Sequence, residues 1–148
     1  NPSIPQSALI NKDIPKFQAN DLLNENLTFN NEIFSGKKAI INFFASWCSP
    51  CKVEHPILIK ISKNHKNIIL FGINHKDKKN DAIEFLKSGN PYNYIAIDKD
   101  GKLAMDFGVY GLPETFIVDK NGIIIFKHVG PITKKIYKKI NLLIKEIE

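Results

Sequence analysis

The sequence predicts an α/β fold, a central mixed β-sheet flanked by helices, with a β-hairpin added ahead of it. Three observations lead there. Lys38 to Ala45 and Asn67 to Asn74 are nearly continuous apolar runs of strand length, as central strands covered on both faces require. The helical pattern from Ser49 to Asn64 lies between them, so a β-α-β unit with parallel strands is expected. Nearer the end, Glu114 to Asp119 and Ile123 to Val129 are joined by Asp119-Lys120-Asn121-Gly122, whose Asn-Gly suits a tight hairpin turn.

The remaining elements follow in chain order. Residues 1–14, with Pro2 and Pro5, read as an extended lead-in, and residues 15–148 as one domain. Lys16 to Ala19 and Leu27 to Asn30 form the hairpin around an Asn-rich turn, and Asn30 to Phe34 gives one helical turn before Gly36. In the helix from Ser49, an apolar stripe of Val53, Ile57, Leu58 and Ile61 is expected to face the core, with a kink at Pro56. Asp77 to Ser88 is a second helix carrying Ala82, Ile83, Phe85 and Leu86 and ended by Gly89. Tyr94 to Asp98 is a short strand followed by the turn Lys99-Asp100-Gly101. Thr133 to Ile147 is an amphipathic helix with Ile136, Ile140, Leu143, Ile144 and Ile147 on one face and lysines on the other.

Composition narrows the function. The chain has 148 residues, 43% hydrophobic and 24% charged, enough for one domain with a real core. No stretch approaches the roughly eighteen apolar residues that cross a bilayer. The net charge of +6 comes entirely from lysine, spread along the chain, without the arginine forks and clustered footprint of a nucleic-acid reader. No nucleic-acid partner is expected.

There are 2 cysteines, three residues apart in Trp47-Cys48-Ser49-Pro50-Cys51. A disulfide closing so short a loop constrains little of the unfolded chain, and two cysteines do not complete a four-ligand zinc site. A Cys-x-x-Cys beside a β-α-β pattern is a redox signature. Cys48 falls where a buried strand ends and a helix begins, facing the unpaired N–H groups and positive end of that helix. That setting favours the thiolate, the species that attacks a disulfide. Cys48 is therefore read as the attacking residue and Cys51, one turn further in, as the resolving one. Ser49 and Pro50 add no charge, and a spacer without His points towards a reductant.

Neighbouring residues have further expected roles. Glu54, three past Cys51 on the same helical face, is read as a proton carrier, against the alternative of a surface carboxylate. Asn42 interrupts the apolar strand and needs a hydrogen-bond partner. Trp47 is expected to shield the sulfur, and His55 to be a helix-face residue. Pro113 directly precedes a strand, and a cis bond there would expose the backbone of Leu112 to an extended peptide.

With these residues assembled, the chain resembles the thioredoxin superfamily and, within it, the CcmG/DsbE proteins of cytochrome c maturation. Trp47-Cys48-Ser49-Pro50-Cys51 followed by Glu54-His55-Pro56 is similar to that family's Trp-Cys-x-x-Cys-x-x-Glu-His site. Gly108-Val109-Tyr110-Gly111-Leu112-Pro113-Glu114-Thr115-Phe116 is similar to its Gly-Val-x-Gly-x-Pro-Glu-Thr-Phe segment, which carries a cis-proline. Asn42 stands where thioredoxins proper carry a buried Asp, which also suits this group.

The resemblance implies a thioredoxin fold and a protein-disulfide reductase with catalytic Cys48, Cys51, Glu54 and Pro113. Trp47, Ser49, Pro50, Leu112 and Glu114 would meet the substrate, Glu114 helping to make the site acidic. No cofactor or metal is implied beyond the redox-active Cys48–Cys51 disulfide. The protein would face the periplasm from the bacterial inner membrane, held by an N-terminal anchor ahead of Asn1. It would take electrons from a CcdA/DsbD-type membrane thiol transporter and pass them to apocytochrome c or a CcmH-type partner. Two rivals remain: a TlpA/ResA-like reductase with another client, and a copper-binding module using the two sulfurs and a His, although His128 has no evident reason to approach them. A peroxidase would want Pro and Thr leading into its Cys, and Ala45-Ser46-Trp47 offers neither.

Overall fold

The computed structural model describes residues 9–147, so Pro2, Pro5 and the rest of the expected lead-in through residue 8 lie outside the described residues. Seven strands and four α-helices follow: β1 (Gln18–Asn20), β2 (Thr28–Asn30), β3 (Ala39–Phe44), α1 (Ser49–Asn64), β4 (Ile69–His75), α2 (Lys79–Phe85), β5 (Tyr94–Asp98), α3 (Lys102–Asp106), β6 (Glu114–Val118), β7 (Ile124–Val129) and α4 (Lys134–Glu146). The expected mixed sheet is present. Its five strands run in the order β5-β4-β3-β6-β7, and β1 and β2 form a separate two-stranded sheet.

β3 is central because every one of its residues is buried, so both its faces must be covered. It pairs in parallel with β4, Asn42 opposite Gly72, and antiparallel with β6, Asn42 opposite Thr115. One face of the sheet carries an aromatic cluster including Phe34, Phe43, Phe71, Phe107 and Phe116. The other packs Ile40, Phe44, Leu58, Ile61, Ile117, Ile140 and Ile144, and both cysteines belong to this second cluster. Residues 11–14 run beside the β6–β7 turn, where the Asn11 N–H meets the Ile124 carbonyl at 2.7 Å and the Ile14 N–H meets the Gly122 carbonyl at 2.9 Å. Ala39 pairs with Val118, and Val118 with Ile124, so this contact lies at the end of β3 opposite Cys48.

Two expectations change. The buried face of α1 is Cys51, Glu54, His55, Leu58 and Ile61, whereas Val53, expected on the core stripe, is 71% exposed. The buried stripe runs through Cys51, Glu54, Leu58 and Ile61 at spacings of three and four, so Val53 falls outside it and two polar residues face inward. The segment after Gly101 is not only a turn: it continues into α3. There the Asp98 carboxylate receives the N–H groups of Leu103 at 2.9 Å and Ala104 at 3.1 Å, capping a helix too short to show a period.

Candidate active site

The strand-to-helix junction puts Cys48 at the N-cap of α1. Its φ of −100° and ψ of 109° are extended, and Pro50 occupies the first turn, where a missing N–H is harmless. Cys48 and Cys51 are joined by a disulfide, their Cα atoms 5.3 Å apart. The Cys51 N–H also points at Cys48 Sγ, 3.2 Å away. A helix-end N–H aimed at that sulfur stabilises negative charge on it once the disulfide opens. Cys48 is 5% exposed and Cys51 1%, so the sulfur nearer solvent is the one at the helix start.

Beneath the pair lies a closed polar network. Glu54 is wholly buried and so is not a surface carboxylate. Its Oε2 accepts from Asn42 Nδ2 at 2.9 Å and its Oε1 from the Ile132 N–H at 3.0 Å. The second hydrogen of the Asn42 amide goes to Thr115 Oγ1 at 3.1 Å, while Asn42 Oδ1 accepts from the Tyr92 hydroxyl at 2.7 Å. Both polar atoms of the Asn42 side chain are therefore satisfied, by partners from α1, β6 and the segment before β5. Burial pushes the Glu54 carboxyl up to about 7, against the pull of Asn42 and the Ile132 N–H, which favour the charged form. A carboxyl that titrates near neutrality, one turn past Cys51, is suited to hold and release a proton. Burial, with the Glu54 charge adding, pushes the Tyr92 hydroxyl well above its ordinary value, so it stays a donor.

The second loop brings the chain back to the cysteines. The Leu112–Pro113 bond is cis, and Pro113 leads directly into β6. Leu112 is half-buried against the cluster that holds Cys48 and Cys51. A groove of about 590 Å³ runs from Trp47 past His75 and Met105 to Tyr110 and Leu112. Trp47, Met105 and Tyr110 on its rim are exposed. Glu114 is buried under this loop: its Oε2 accepts the Tyr110 N–H at 3.3 Å, and its Oε1 faces Lys127 Nζ at 3.2 Å. Lys127, half-buried with its side chain only 7% exposed, donates to the Gly108 carbonyl at 3.1 Å. The pair so braces both ends of the loop, and Lys127 offsets the negative charge that Glu114 alone would bring.

Of the residues singled out in the sequence, Cys48, Cys51, Glu54, Leu112, Pro113 and Glu114 converge on one end of the sheet. Ser49 and Pro50 form the exposed first turn of α1. Trp47 does not lie back on the core. It is 59% exposed, its indole N–H reaching the Lys76 carbonyl at 3.0 Å. His55 is buried under Phe85, with Nε2 at 2.7 Å from the Gly89 carbonyl, rather than on an open helix face. His128 Nε2 contacts the Pro131 carbonyl at 3.0 Å. Among the described residues no three His, Cys, Asp or Glu side chains gather as a ligand set. Tyr92, Asp77 and Lys127, which contact Asn42, Ser46 and Glu114, were not singled out by the sequence reading.

Comparison with known proteins places this geometry. The Redoxin family model matches residues 9–141. The thiol:disulfide interchange protein DsbE of Escherichia coli strain K12 is 39% identical over 141 residues, 94% of this chain and 75% of that protein. The thiol:disulfide interchange protein CycY of Rhizobium leguminosarum bv. viciae is 49% identical over 100 residues, 66% of this chain and 53% of that protein. Among solved structures, a DsbE from Chlorobium tepidum superposes with a TM-score of 0.79 at 25% identity, covering 91% of this chain and 94% of that one. The chain has the thioredoxin fold and belongs to the redoxin family, and within it to the DsbE thiol–disulfide oxidoreductases.

Proposed function

We propose that the protein works as a reductant in cytochrome c biogenesis, keeping apocytochrome c or a CcmH-type partner reduced for haem attachment. The observation that carries this reading is the Gly108–Phe116 segment. It places the Leu112 backbone and cis Pro113 beside the disulfide cluster, with the exposed rim of Trp47, Met105 and Tyr110 next to it. An extended peptide carrying a disulfide would lie along Leu112 as an added strand, its apolar side chains in the groove.

The chemistry starts from the reduced pair. The Cys48 thiolate, held by the helix-end N–H groups, attacks one sulfur of the client disulfide and forms a mixed disulfide, releasing the client's other sulfur as thiolate. Cys51 gives up its proton, with Glu54 as the nearest carboxylate in sequence able to take it, and its sulfur attacks Cys48. The Cys48–Cys51 disulfide forms and the client's second sulfur leaves as thiolate, so two electrons pass to the client, whose thiolates take up the proton given up by Cys51 and one from water. A CcdA/DsbD-type membrane thiol transporter restores the dithiol by the reverse exchange. No cofactor beyond the cysteine pair is required.

The same reading puts the protein outside the cytoplasm, facing the periplasm and tethered ahead of Asn1. Residues 11–14 meet the sheet at the end away from the cysteines. With six residues in β3, the separation is about 20 Å. A tether there would leave the disulfide facing outward to clients.

Replacing Cys51 by Ala tests the client. The variant is expected to trap mixed disulfides through Cys48 with haem-attachment proteins bearing Cys-x-x-Cys-His, or with a CcmH-type protein. Trapped species devoid of any cytochrome c maturation protein would favour a TlpA/ResA-like role for the same chemistry.

A further inference from the structure

The segment that leads into Cys48 is fastened from outside its own β-α unit. The Ser46 N–H donates to Asp77 Oδ2 at 2.8 Å and the Ser46 hydroxyl to Asp77 Oδ1 at 2.7 Å. The same carboxylate gathers Asn74 Nδ2 at 3.0 Å and the Lys78 N–H at 2.9 Å, so both its oxygens are fully engaged. One residue away, the Trp47 indole N–H reaches the Lys76 carbonyl. Three donors of the Ser46–Trp47 dipeptide thus converge on residues 76–77, just past the end of β4.

The backbone at that corner is unusual. Lys76 has a φ of 45°, in the left-handed region that a residue with a side chain seldom adopts. A strained residue persists where its surroundings over-determine it, often beside a functional site. Here the turn presents the Lys76 carbonyl to Trp47 while Asp77 follows to take Ser46. Asp77 touches neither sulfur, and the network around Glu54 does not include it.

We propose that Asp77 is a positioning residue: it clamps Ser46 and Trp47 to the end of β4 and thereby fixes the Cys48 sulfur at the start of α1. This rests on the reading of Cys48 as the attacking thiolate. A sulfur free to drift from the helix end would lose the N–H groups that stabilise its charge, and would attack more slowly. The carboxylate's own negative charge works the other way, since removing it favours a thiolate. The two effects are separated at Ser46, where the hydroxyl bond of the clamp can be cut without changing charge.

The test uses the reduced full chain with Cys51→Ala as parent, reading the Cys48 thiolate by ultraviolet absorbance and its second-order rate with a small aromatic disulfide. Adding Ser46→Ala should raise the Cys48 titration point and slow exchange by about tenfold, the scale of one charge-assisted hydrogen bond. Ser46→Thr, which keeps the hydroxyl, should restore both. In an Asp77→Ala background, Ser46→Ala should add no further change, because its partner is already lost. A lowered parent titration that Ser46→Ala leaves unmoved, with only the melting temperature falling, overturns the clamp. A parent whose Cys48 titrates like free cysteine counts instead against the attacking role itself.

Discussion

Asn42 Nδ2 lies 2.9 Å from Glu54 Oε2 with neither residue exposed to solvent, so a sheet residue and a helix residue share one buried proton site. The contact fixes the Asn42 amide, because its oxygen must then face Tyr92. It also explains how a carboxylate is tolerated on the buried face of α1: two donors meet it, yet too few to hold it charged below neutrality.

Stability should therefore depend on pH through Glu54. Its carboxyl moves from 4.5 unfolded to about 7 folded, so between these values the native state binds more protons than the unfolded one. Stability falls as pH rises through that window, by up to about 3 kcal/mol. Glu54→Gln should abolish this slope, read as the difference between urea midpoints at about pH 5 and about pH 8. A slope equal to that of the parent would place the titrating group elsewhere.

Tyr92→Phe should cost about 2 kcal/mol, since it leaves Asn42 Oδ1 buried without a donor. The ring itself would stay, stacked on Phe44 at 4.8 Å and lying over Gly72, where an added Cβ would come within 2.9 Å. Loss confined to the hydroxyl is checked by urea denaturation. A change below a few tenths of a kcal/mol would mean that Asn42 finds another donor.

Lys127→Met should destabilise by about 3 kcal/mol, because it strands the Glu114 carboxylate in the interior. Lys127→Met with Glu114→Gln should recover much of that loss, as neither residue then carries charge. The measurement is a double-mutant cycle on unfolding free energy. Additive losses would show that the two residues act independently.

Much of this was legible in the chain. The order of strands and helices follows from apolar runs and turns whose signals are local, and the Asn121-Gly122 hairpin is one of them. Cys48, Cys51 and Pro113 announce themselves through spacing and through the elements they border. What stayed hidden is set by tertiary placement. Tyr92 stands 50 positions from Asn42, and Asp77 stands 31 from Ser46, so no local pattern joins them. The inward face of α1 is hidden for a related reason: Val53 is apolar, but the buried stripe runs through Cys51, Glu54, His55, Leu58 and Ile61, and only the tertiary packing shows that two polar residues belong to it. α3, with 5 residues, is held by the Asp98 carboxylate rather than by any periodic stripe.

The central claim is that Cys48 is the attacking residue of a thiol–disulfide exchange centre, activated by its place at the start of α1. The most direct measurement is the thiolate titration of Cys48 in the reduced Cys51→Ala protein. The geometry predicts a value well below the roughly 8.5 of a free cysteine, with exchange towards a small disulfide rising in step with thiolate formation. A titration at or above the free value would contradict it.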